Sequence, residues 1–373
     1  MITIKELKTQ KELVDFVKFP FKLYKNTPYW IPPIINDEVS SFDKTLNPVF
    51  EHADARFFVA LKGNEIVGRI AAIINHVEVN QQGLKKMRFG WFDFIDNLEV
   101  SKALLDKVNE IGKENQLEFM EGPVGFSNLD KVGVMTEGFE NMGTMITWYN
   151  HAYYIDHYKA YGLEKEKGYI ESEFPSENAD PKFFAGFSEV IQKRYNLRPV
   201  NFKRTKDLMP KVDQMFDLFN ESYSKLSSFV PISERQKKFF KEKYISFINP
   251  EYIKFVVDEK DKIVAFAIVM PSFAKALKKA NGKLFPFGFI HLLWAKYFSK
   301  DVTFYLIGIT PAYQSKGVTS ILFTEFKREF DKRGIQMCHR TPELEDNHAI
   351  HRLWVNFNTT TTQKRQTMKK MLT

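Results

Sequence analysis

The sequence of 373 residues predicts a mixed α/β fold made of two similar halves in tandem. Two observations predict it: an internal repeat at domain scale, and strand-like segments that alternate with helix-like segments after an antiparallel hairpin. The repeat rests on three matches at nearly one spacing: 198 residues separate Ile4 from Phe202, 199 separate Pro32 from Pro231, and 197 separate Ile66 from Ile263. Agreement among three separate offsets favours a duplicated domain.

Each half begins with a strand, a helix and a loop, followed by two β-rich strands joined by a charged turn. In the first half these segments are 2–5, 10–24, 29–32, 56–60 and 66–71, with a further strand at 89–94 and a helix at 97–112. In the second half they are 198–203, 207–222, 229–231, 253–257 and 263–267, then a strand at 302–309, a helix at 318–333, a strand at 335–339 and a helix at 347–357. Gly334 predicts the end of the helix before it. A polar run with two prolines at 175–181 predicts domains of 1–175 and 176–373.

The composition excludes several classes of protein. The 36 phenylalanines and the hydrophobic content of 44% predict packed cores rather than disorder. The single cysteine, Cys338, excludes an internal disulfide framework. No run approaches the roughly 18 to 20 apolar residues of a spanning helix, and the charged N-terminus does not resemble a signal peptide, so a cytoplasmic location is expected. The net charge of +8 leaves an anionic partner open.

The most informative local feature is the loop at 313–319, which joins the strand 302–309 to the helix 318–333. A loop that opens directly into a helix presents unpaired backbone N–H groups at the positive end of the helix dipole, which suits a pyrophosphate. Gly317 would let a phosphate approach where a Cβ would obstruct it, and Lys316 would add a positive charge. The alternative is an ordinary turn that contains one glycine.

The order of segments around this loop resembles the GCN5-related N-acetyltransferase (GNAT) superfamily, whose acyl-CoA loop follows the pattern Gln/Arg-x-x-Gly-x-Gly/Ala. Gln314 and Gly317 match that pattern, with Thr319 in its last place, and Asn347 and Leu353 match residues of the helix that follows. The resemblance implies acetyl-CoA or a longer acyl-CoA as co-substrate and no metal. It implies the following cofactor-binding residues: Leu306, Ile307, Gly308 and Ile309 at the pantetheine, then Gln314, Ser315, Lys316, Gly317, Val318 and Thr319 at the pyrophosphate, and Asn347.

The sequence departs from the superfamily in two places, at Trp354 and near the end of the same helix, where Phe357, Asn358 and Thr359 stand in place of the usual Gly. The superfamily often has a Tyr after the helical Leu, where it protonates the leaving thiolate, but this chain has Trp354, whose indole gives up no proton at useful pH. The first half has no Gln-x-x-Gly turn between the strand 89–94 and the helix 97–112. A cofactor site is therefore expected only in the second half.

The first half is expected to support the acceptor. Its blocks 121–128, 137–139 and 148–154 resemble a tandem-domain bacterial subgroup of the superfamily and would line a cleft between the halves. The alternative is that these blocks are turns with aromatic neighbours in the core. The expected substrate-binding residues are Asn128, Tyr149, Tyr154, Phe287 and Trp294.

Acylation of an amine needs a base, because an alkylamine with a pKa of about 10 is an ammonium ion at pH 7. The candidates near the cofactor strand are His339, Glu343 and Glu345, with His339 as the first choice. Glu345 and the neighbouring Asp346 fit better as helix N-terminal residues that complement the dipole. A zinc site around Cys338 and nearby histidines competes, but neighbouring strand residues point to opposite faces, so no metal is predicted.

The segment 262–300 contains no Asp or Glu, and its lysines surround a run of Phe, Leu and Trp. This composition suits an element that lies at a membrane surface. The alternative is an insertion that packs on the core and keeps its lysines in water. Nucleic acid is not an expected partner, because arginine is scarce here and no nucleic-acid-binding motif accompanies the segment.

These patterns predict an acyl-CoA-dependent N-acyltransferase. The phenylalanine content and the segment 262–300 favour a long-chain or lipid amine such as a sphingoid base, similar to the bacterial ceramide-synthase type of the superfamily. Two other functions stay open: an N-acetyltransferase that acts on a small soluble amine, and a non-catalytic acyl-CoA-binding protein. The expected partners are acyl-CoA, the amine acceptor and the inner face of a membrane.

Overall fold

The computed structural model describes residues 1–127, 129–179, 181–224, 229–245 and 247–372, and their strands form one mixed sheet. The strands are β1 (Ile2–Leu7), β2 (Ala53–Lys62), β3 (Glu65–Asn75), β4 (Lys86–Phe94), β5 (Phe119–Gly122), β6 (Val134–Glu137), β7 (Glu164–Pro175), β8 (Arg198–Asn201), β9 (Ile253–Val257), β10 (Ile263–Pro271), β11 (Asp301–Ile309), β12 (Met337–Leu344) and β13 (Thr360–Met371). The α-helices are α1 (Gln10–Leu23), α2 (Ile35–Ser41), α3 (Leu98–Glu114), α4 (Tyr154–Ala160), α5 (Pro181–Tyr195), α6 (Thr205–Leu208), α7 (Val212–Tyr223), α8 (Glu234–Phe240), α9 (Ala274–Ala280), α10 (Gly288–Phe298), α11 (Thr319–Arg333) and α12 (His348–Trp354).

The sheet is nearly symmetric about its centre. Its strand order is β1-β2-β3-β4-β5-β13-β7-β12-β11-β10-β9-β8, and β6 also pairs with β13. Two of the pairings are parallel, β4 with β5 and β11 with β12, and these two pairs lie at equivalent places in the two halves. The predicted mixed α/β fold in two similar halves is therefore confirmed.

Helices cover both faces of the sheet. Adjacent residues of β2 show this arrangement, because Phe58 belongs to the core that includes α3, whereas Phe57 belongs to the core that includes α1. In the second half, α7 packs on β10 and β11, and α11 packs on β8, β9 and β10. Among the described residues, no helix has both the length and the apolar character needed to cross a membrane.

Two predicted elements of the second half differ in detail from the structure, and the predicted end of a third agrees with it. The helix predicted at 207–222 is interrupted, because Pro210 lies in a tight turn between α6 and α7. The strand predicted at 335–339 begins at Met337 and continues to Leu344, since it pairs with β7 beyond its contact with β11. Gly334 ends α11 with a φ of 63°, as predicted.

Each half completes its sheet with a strand from the other half. β13, from the end of the chain, lies between β5 and β7, while β7, from the first 175 residues, lies between β13 and β12. The sequence does not predict either strand. The boundary between residues 175 and 176 stays a prediction, and it falls at the last residue of β7.

A buried ion pair joins the two exchanged strands. The guanidinium of Arg365 on β13 contacts the carboxylate of Glu171 on β7, and their side chains are only 1% and 3% exposed. Arg365 also donates to the backbone carbonyl of Trp148 and to the side-chain oxygen of Gln363. Its charge is therefore fully surrounded by acceptors inside the sheet.

Replacing Arg365 by leucine is expected to destabilise the protein by about 3–5 kcal/mol, because it leaves the Glu171 carboxylate buried and uncompensated. Urea denaturation measures this difference. The matched control is Lys364→Leu, whose side chain pairs with Glu137 at exposures of 40% and 62%, and we expect it to cost less than about 1 kcal/mol. Equal losses for the two variants would show that the buried pair has no special role.

Candidate active site

The second half contains an opening between β11 and β12. The two strands pair only from Asp301 to Phe304 on β11, and they separate beyond that point. A bulge opposite Ile268 and Val269 leaves Tyr305 without a counterpart on β10. From Tyr305 onward, β11 has no strand neighbour on its β12 side in the described residues. The four residues predicted to bind pantetheine lie on this open edge: Leu306, Ile307, Gly308 and Ile309.

The predicted pyrophosphate loop continues from the end of this edge. Gln314 fixes it there, since its side-chain amide donates to the carbonyl of Ile309 at 3.1 Å. Ser315 and Gly317 have positive φ angles of 60° and 76°, so successive N–H groups of the loop do not enter a regular helix. The backbone amides of Ser315, Gly317, Val318 and Thr319 have no acceptor among the described residues.

The equivalent place in the first half is closed. α3 is capped by Asn97, whose side-chain oxygen accepts from the amide of Glu99 at 2.9 Å, whereas α11 has no side-chain cap. The gap between β4 and β5 is filled by the following loop, where the Val124 amide donates to the Phe89 carbonyl at 2.8 Å. The two halves thus differ at the feature that would bind a phosphate.

Two cations lie beside the loop. The Lys316 ammonium is 5.3 Å from the ring centroids of both Tyr195 and Tyr313, and the Arg194 guanidinium is 5.4 Å from the Tyr195 ring. A Cβ placed on Gly317 would lie 3.3 Å from Ile191 of α5, so little room is left on that side. The open amides and the adjacent positive charge together fit an anionic diphosphate.

Glu343 lies where β12 departs from regular pairing. Its carboxylate contacts the guanidinium of Arg340 and accepts from the indole Nε1 of Trp354 at 2.9 Å. Burial raises the pKa of Glu343, against the opposing effects of Arg340 and of the Trp354 hydrogen bond. Trp354, which stands in place of the expected Tyr, is itself buried and stacks under Arg340 at 4.7 Å.

The structure separates the three predicted bases. His339 lies opposite Thr303 in the paired part of β12, where its Nδ1 is 3.1 Å from Glu173. Glu345 accepts from the Lys165 ammonium at 2.7 Å, beside Gly168 at the β7 edge. The Glu343 side chain is 14% exposed, against 24% for His339 and 37% for Glu345.

The structure also bears on the zinc alternative and on Asn347, the last of the predicted cofactor-binding residues. Among the residues that the structure describes, no group of three or more His, Cys, Asp or Glu side chains could hold a metal ion. Cys338 is buried in the core of the second half. Asn347 caps α12, and its side-chain oxygen accepts from the amide of Ile350 at 3.2 Å.

A small cleft between the halves is lined by Ser127 and Leu129 of the first half and by Phe219 of the second. Tyr223 donates to the carbonyl of Ile307 at 3.0 Å and therefore lies at the open edge. Tyr244 is 47% exposed, yet the protein around its hydroxyl, with the charge of Asp130, raises its pKa. Burial together with the charges of Tyr244 and Asp130 raises the pKa of Tyr305. The charge of Asp130, from the first half, thus acts on two tyrosines of the second half.

Asp130 combines an exposed side chain with a partly desolvated carboxylate. Its side chain is exposed, but the protein around it removes enough water to raise the pKa of the carboxyl. Its Oδ2 accepts from the amide of Ser127 at 2.7 Å, which holds the carboxylate in place. The sequence pattern did not single out Asp130, Tyr223, Tyr244 or Tyr305, because their proximity depends on how the two halves pack.

The predicted substrate-binding residues fall in different places. Asn128 lies outside the described residues. Tyr154 is 1% exposed, and its hydroxyl is 2.8 Å from that of Tyr24, so it belongs to the interior of the first half as the alternative interpretation has it. Tyr149 is half-buried and donates to the carbonyl of Phe139 at 3.1 Å. Phe287 and Trp294 are 67% and 62% exposed on and just before α10.

Comparison with known proteins confirms the resemblance at the level of the fold: this chain has the tandem GNAT fold. A tandem GNAT protein from the clavulanic acid biosynthesis pathway superposes with a TM-score of 0.59 at 10% identity, covering 100% of this chain and 99% of that one. A GCN5-related N-acetyltransferase from Sphaerobacter thermophilus gives a TM-score of 0.52 at 7% identity, covering 100% and 96%.

Two curated proteins are similar in sequence over most of the chain. Protein YghO of Escherichia coli is 25% identical over 356 residues, which cover 92% of this chain and 89% of that protein. The bacterial ceramide synthase of Caulobacter vibrioides is 24% identical over 304 residues, covering 79% of this chain and 76% of that protein. No protein-family model matches the chain.

Proposed function

We infer that the protein is an acyl-CoA-dependent N-acyltransferase that moves an acyl group from a thioester to an amine. The observation that carries this proposal is the loop at the start of α11, whose unpaired amides adjoin the open edge of β11. The tandem GNAT fold supports it, and the similarity to a protein named as a ceramide synthase adds support. In this proposal residues 176–373 bind acyl-CoA and residues 1–175 support the acceptor.

An ammonium acceptor loses two protons from its nitrogen, one before the attack and one after the C–N bond forms. One proton ends on the thiolate sulfur, and the other goes to solvent. The amine nitrogen attacks the thioester carbonyl carbon, the C–N bond forms, the C–S bond breaks, and the sulfur leaves as a thiolate. Glu343 is the base in this proposal, because its raised pKa brings the carboxylate closer to the pKa of the ammonium that it must deprotonate. The Tyr223 hydroxyl, at the open edge, supplies the proton that Trp354 cannot supply.

The acceptor binds in the cleft between the halves, where Asp130 attracts its ammonium group. Replacing Asp130 by asparagine is expected to raise KM for the amine about tenfold or more while kcat changes little, because a charge-assisted hydrogen bond contributes about 1.5–3 kcal/mol. Asparagine keeps an acceptor for Ser127, so the loop is preserved. Asp106→Asn, on the exposed surface of α3, is the control. A lowered kcat with unchanged KM would contradict the binding role.

The acceptor class in this proposal is a long-chain amine such as a sphingoid base. The name of the Caulobacter relative and the exposed aromatic side chains of α10 support it. The test is a CoA-release assay in which acyl-CoA donors from acetyl to palmitoyl are combined with soluble amines and with long-chain bases in detergent micelles. Release only with long-chain pairs is expected. Turnover of acetyl-CoA with a soluble amine would indicate a small-amine N-acetyltransferase, and binding without release would indicate a non-catalytic protein.

A further inference from the structure

The segment between β10 and β11 presents an unusual surface. Nearly half of the large apolar side chains that are exposed in the described residues lie between 285 and 298. We refer to these side chains as the aromatic face: Phe285, Phe287, Phe289, Ile290, Leu293, Trp294, Tyr297 and Phe298. Proteins that act alone in water rarely expose a continuous apolar patch of this kind, so the face needs a partner.

Only a narrow side of α10 packs on the protein. Ala295 is buried, and Leu292 packs with it against Phe273 and Ala276 of the α9 region. Apart from Gly288, His291 and Lys296, the rest of α10 is apolar and points to solvent. A helix that is apolar almost all round is stable when the remainder of its surface is also covered by an apolar environment.

The charge within the segment that carries the aromatic face has one sign. Between residues 263 and 300 there are lysines but no Asp or Glu. Lys279 and Lys283 are exposed beside the face, and the Lys296 ammonium lies 4.7 Å from the ring of Phe247 at its edge. Protruding aromatic residues flanked by lysines complement a surface that is negative outside and apolar beneath.

This charge distribution argues against a second copy of the chain as the partner. A symmetric contact through the aromatic face would bring lysines against lysines, with no carboxylate from this segment to offset them. Six of its eight side chains stand on one helix, α10, and each of them is at least 37% exposed, so they do not line an enclosed groove. A fluid apolar layer accommodates such a shape without a matching pocket.

We propose that the aromatic face docks the protein on the surface of an anionic lipid bilayer, with α10 lying in the plane of the interface. Phe247, at the edge of the face, lies 5.6 Å from the ring of Phe273, which belongs to the small core beneath α10. Docking itself does not depend on the proposed acyl transfer.

Sedimentation of the full-length protein with vesicles tests this proposal. We expect binding to vesicles of phosphatidylcholine and phosphatidylglycerol, and a loss of at least about tenfold in the double variant Trp294→Glu/Phe298→Glu. The matched control is Leu46→Glu/Leu98→Glu, which places the same charges at two apolar side chains that are each 56% exposed elsewhere. That control should bind like the wild type.

A second pair of variants tests the charge. Lys279→Gln/Lys283→Gln should weaken binding to the anionic vesicles by about fivefold per lysine and leave any binding to pure phosphatidylcholine unchanged. No vesicle binding by the wild type, or equal binding by the Trp294→Glu/Phe298→Glu variant, would overturn the proposal. So would a wild-type dimer that this variant dissociates, because the face would then be a contact between copies. CoA release from soluble donors, measured without vesicles, tests the catalytic proposal separately.

Discussion

Replacing Gly317 by aspartate is expected to lower the affinity for acyl-CoA by at least about 100-fold, with the rest of the protein still folded. The new carboxylate would lie among the unpaired amides of the loop, where it would repel the diphosphate and compete for its donors. Loss of two charge-assisted hydrogen bonds at about 1.5–3 kcal/mol each gives at least this factor. Calorimetric titration with CoA and with a long-chain acyl-CoA measures the effect.

The control must separate loss of binding from backbone strain, because Gly317 has a φ of +76° and an L residue is strained there. Gly63 offers the match: its φ is +62°, it lies in the turn between β2 and β3, and nothing stands within 4 Å of an added Cβ. Gly63→Asp should show a similar small loss in thermal stability and normal affinity for acyl-CoA. If Gly317→Asp also binds acyl-CoA normally, the loop is not the pyrophosphate site.

The parts of the fold that local sequence determines were predictable. The β-branched and aromatic run in β11, the loop with Gly317 and the helix that ends at Gly334 each carry their signal within a few residues. The internal repeat then showed that the same plan occurs twice. These features were enough to predict both the fold class and the loop that forms the candidate cofactor site.

The exchanged strand β13 was not predictable from the apolar pattern. Its buried positions hold polar residues, among them Gln363, Arg365 and Thr367, so no alternation of apolar and polar residues marks it as a strand. Arg365 is compatible with burial because Glu171 lies on the neighbouring strand, almost two hundred residues earlier in the chain. A partner at that distance leaves no local signal.

The candidate site likewise has one part that the sequence predicts and another that it does not. Gln314 and Gly317 were identifiable because the loop is continuous in sequence. The base could not be chosen among His339, Glu343 and Glu345 from the sequence. The choice depends on which side chain contacts Trp354 and Arg340, and which ones pair with Glu173 or Lys165 instead. Asp130 required knowledge of how the first half packs against β11.

Replacing Glu343 by glutamine is expected to lower kcat by about 10²–10⁴-fold and leave the affinity for acyl-CoA nearly unchanged, if this carboxylate removes the proton from the amine. Glutamine keeps an acceptor for the Trp354 indole but leaves the Arg340 charge without its partner. Thermal denaturation and acyl-CoA titration therefore accompany the kinetics. His339→Gln and Glu345→Gln are the controls, because their side chains pair with Glu173 and Lys165 instead, and each should retain most of the activity.

The pH dependence gives a sharper test of the same residue. The base must be ionised, so kcat should fall as the pH is lowered through the pKa of Glu343, and burial places that fall above the ordinary value of 4.5. Trp354→Phe removes a hydrogen bond that lowers this pKa, so the acidic limb should move to higher pH in that variant. Glu343→Gln should lose the limb altogether. A limb that stays in place in both variants would assign the proton transfer to another group. Asp130 would be the next carboxylate to test, since removal of water by the surrounding protein raises its pKa as well.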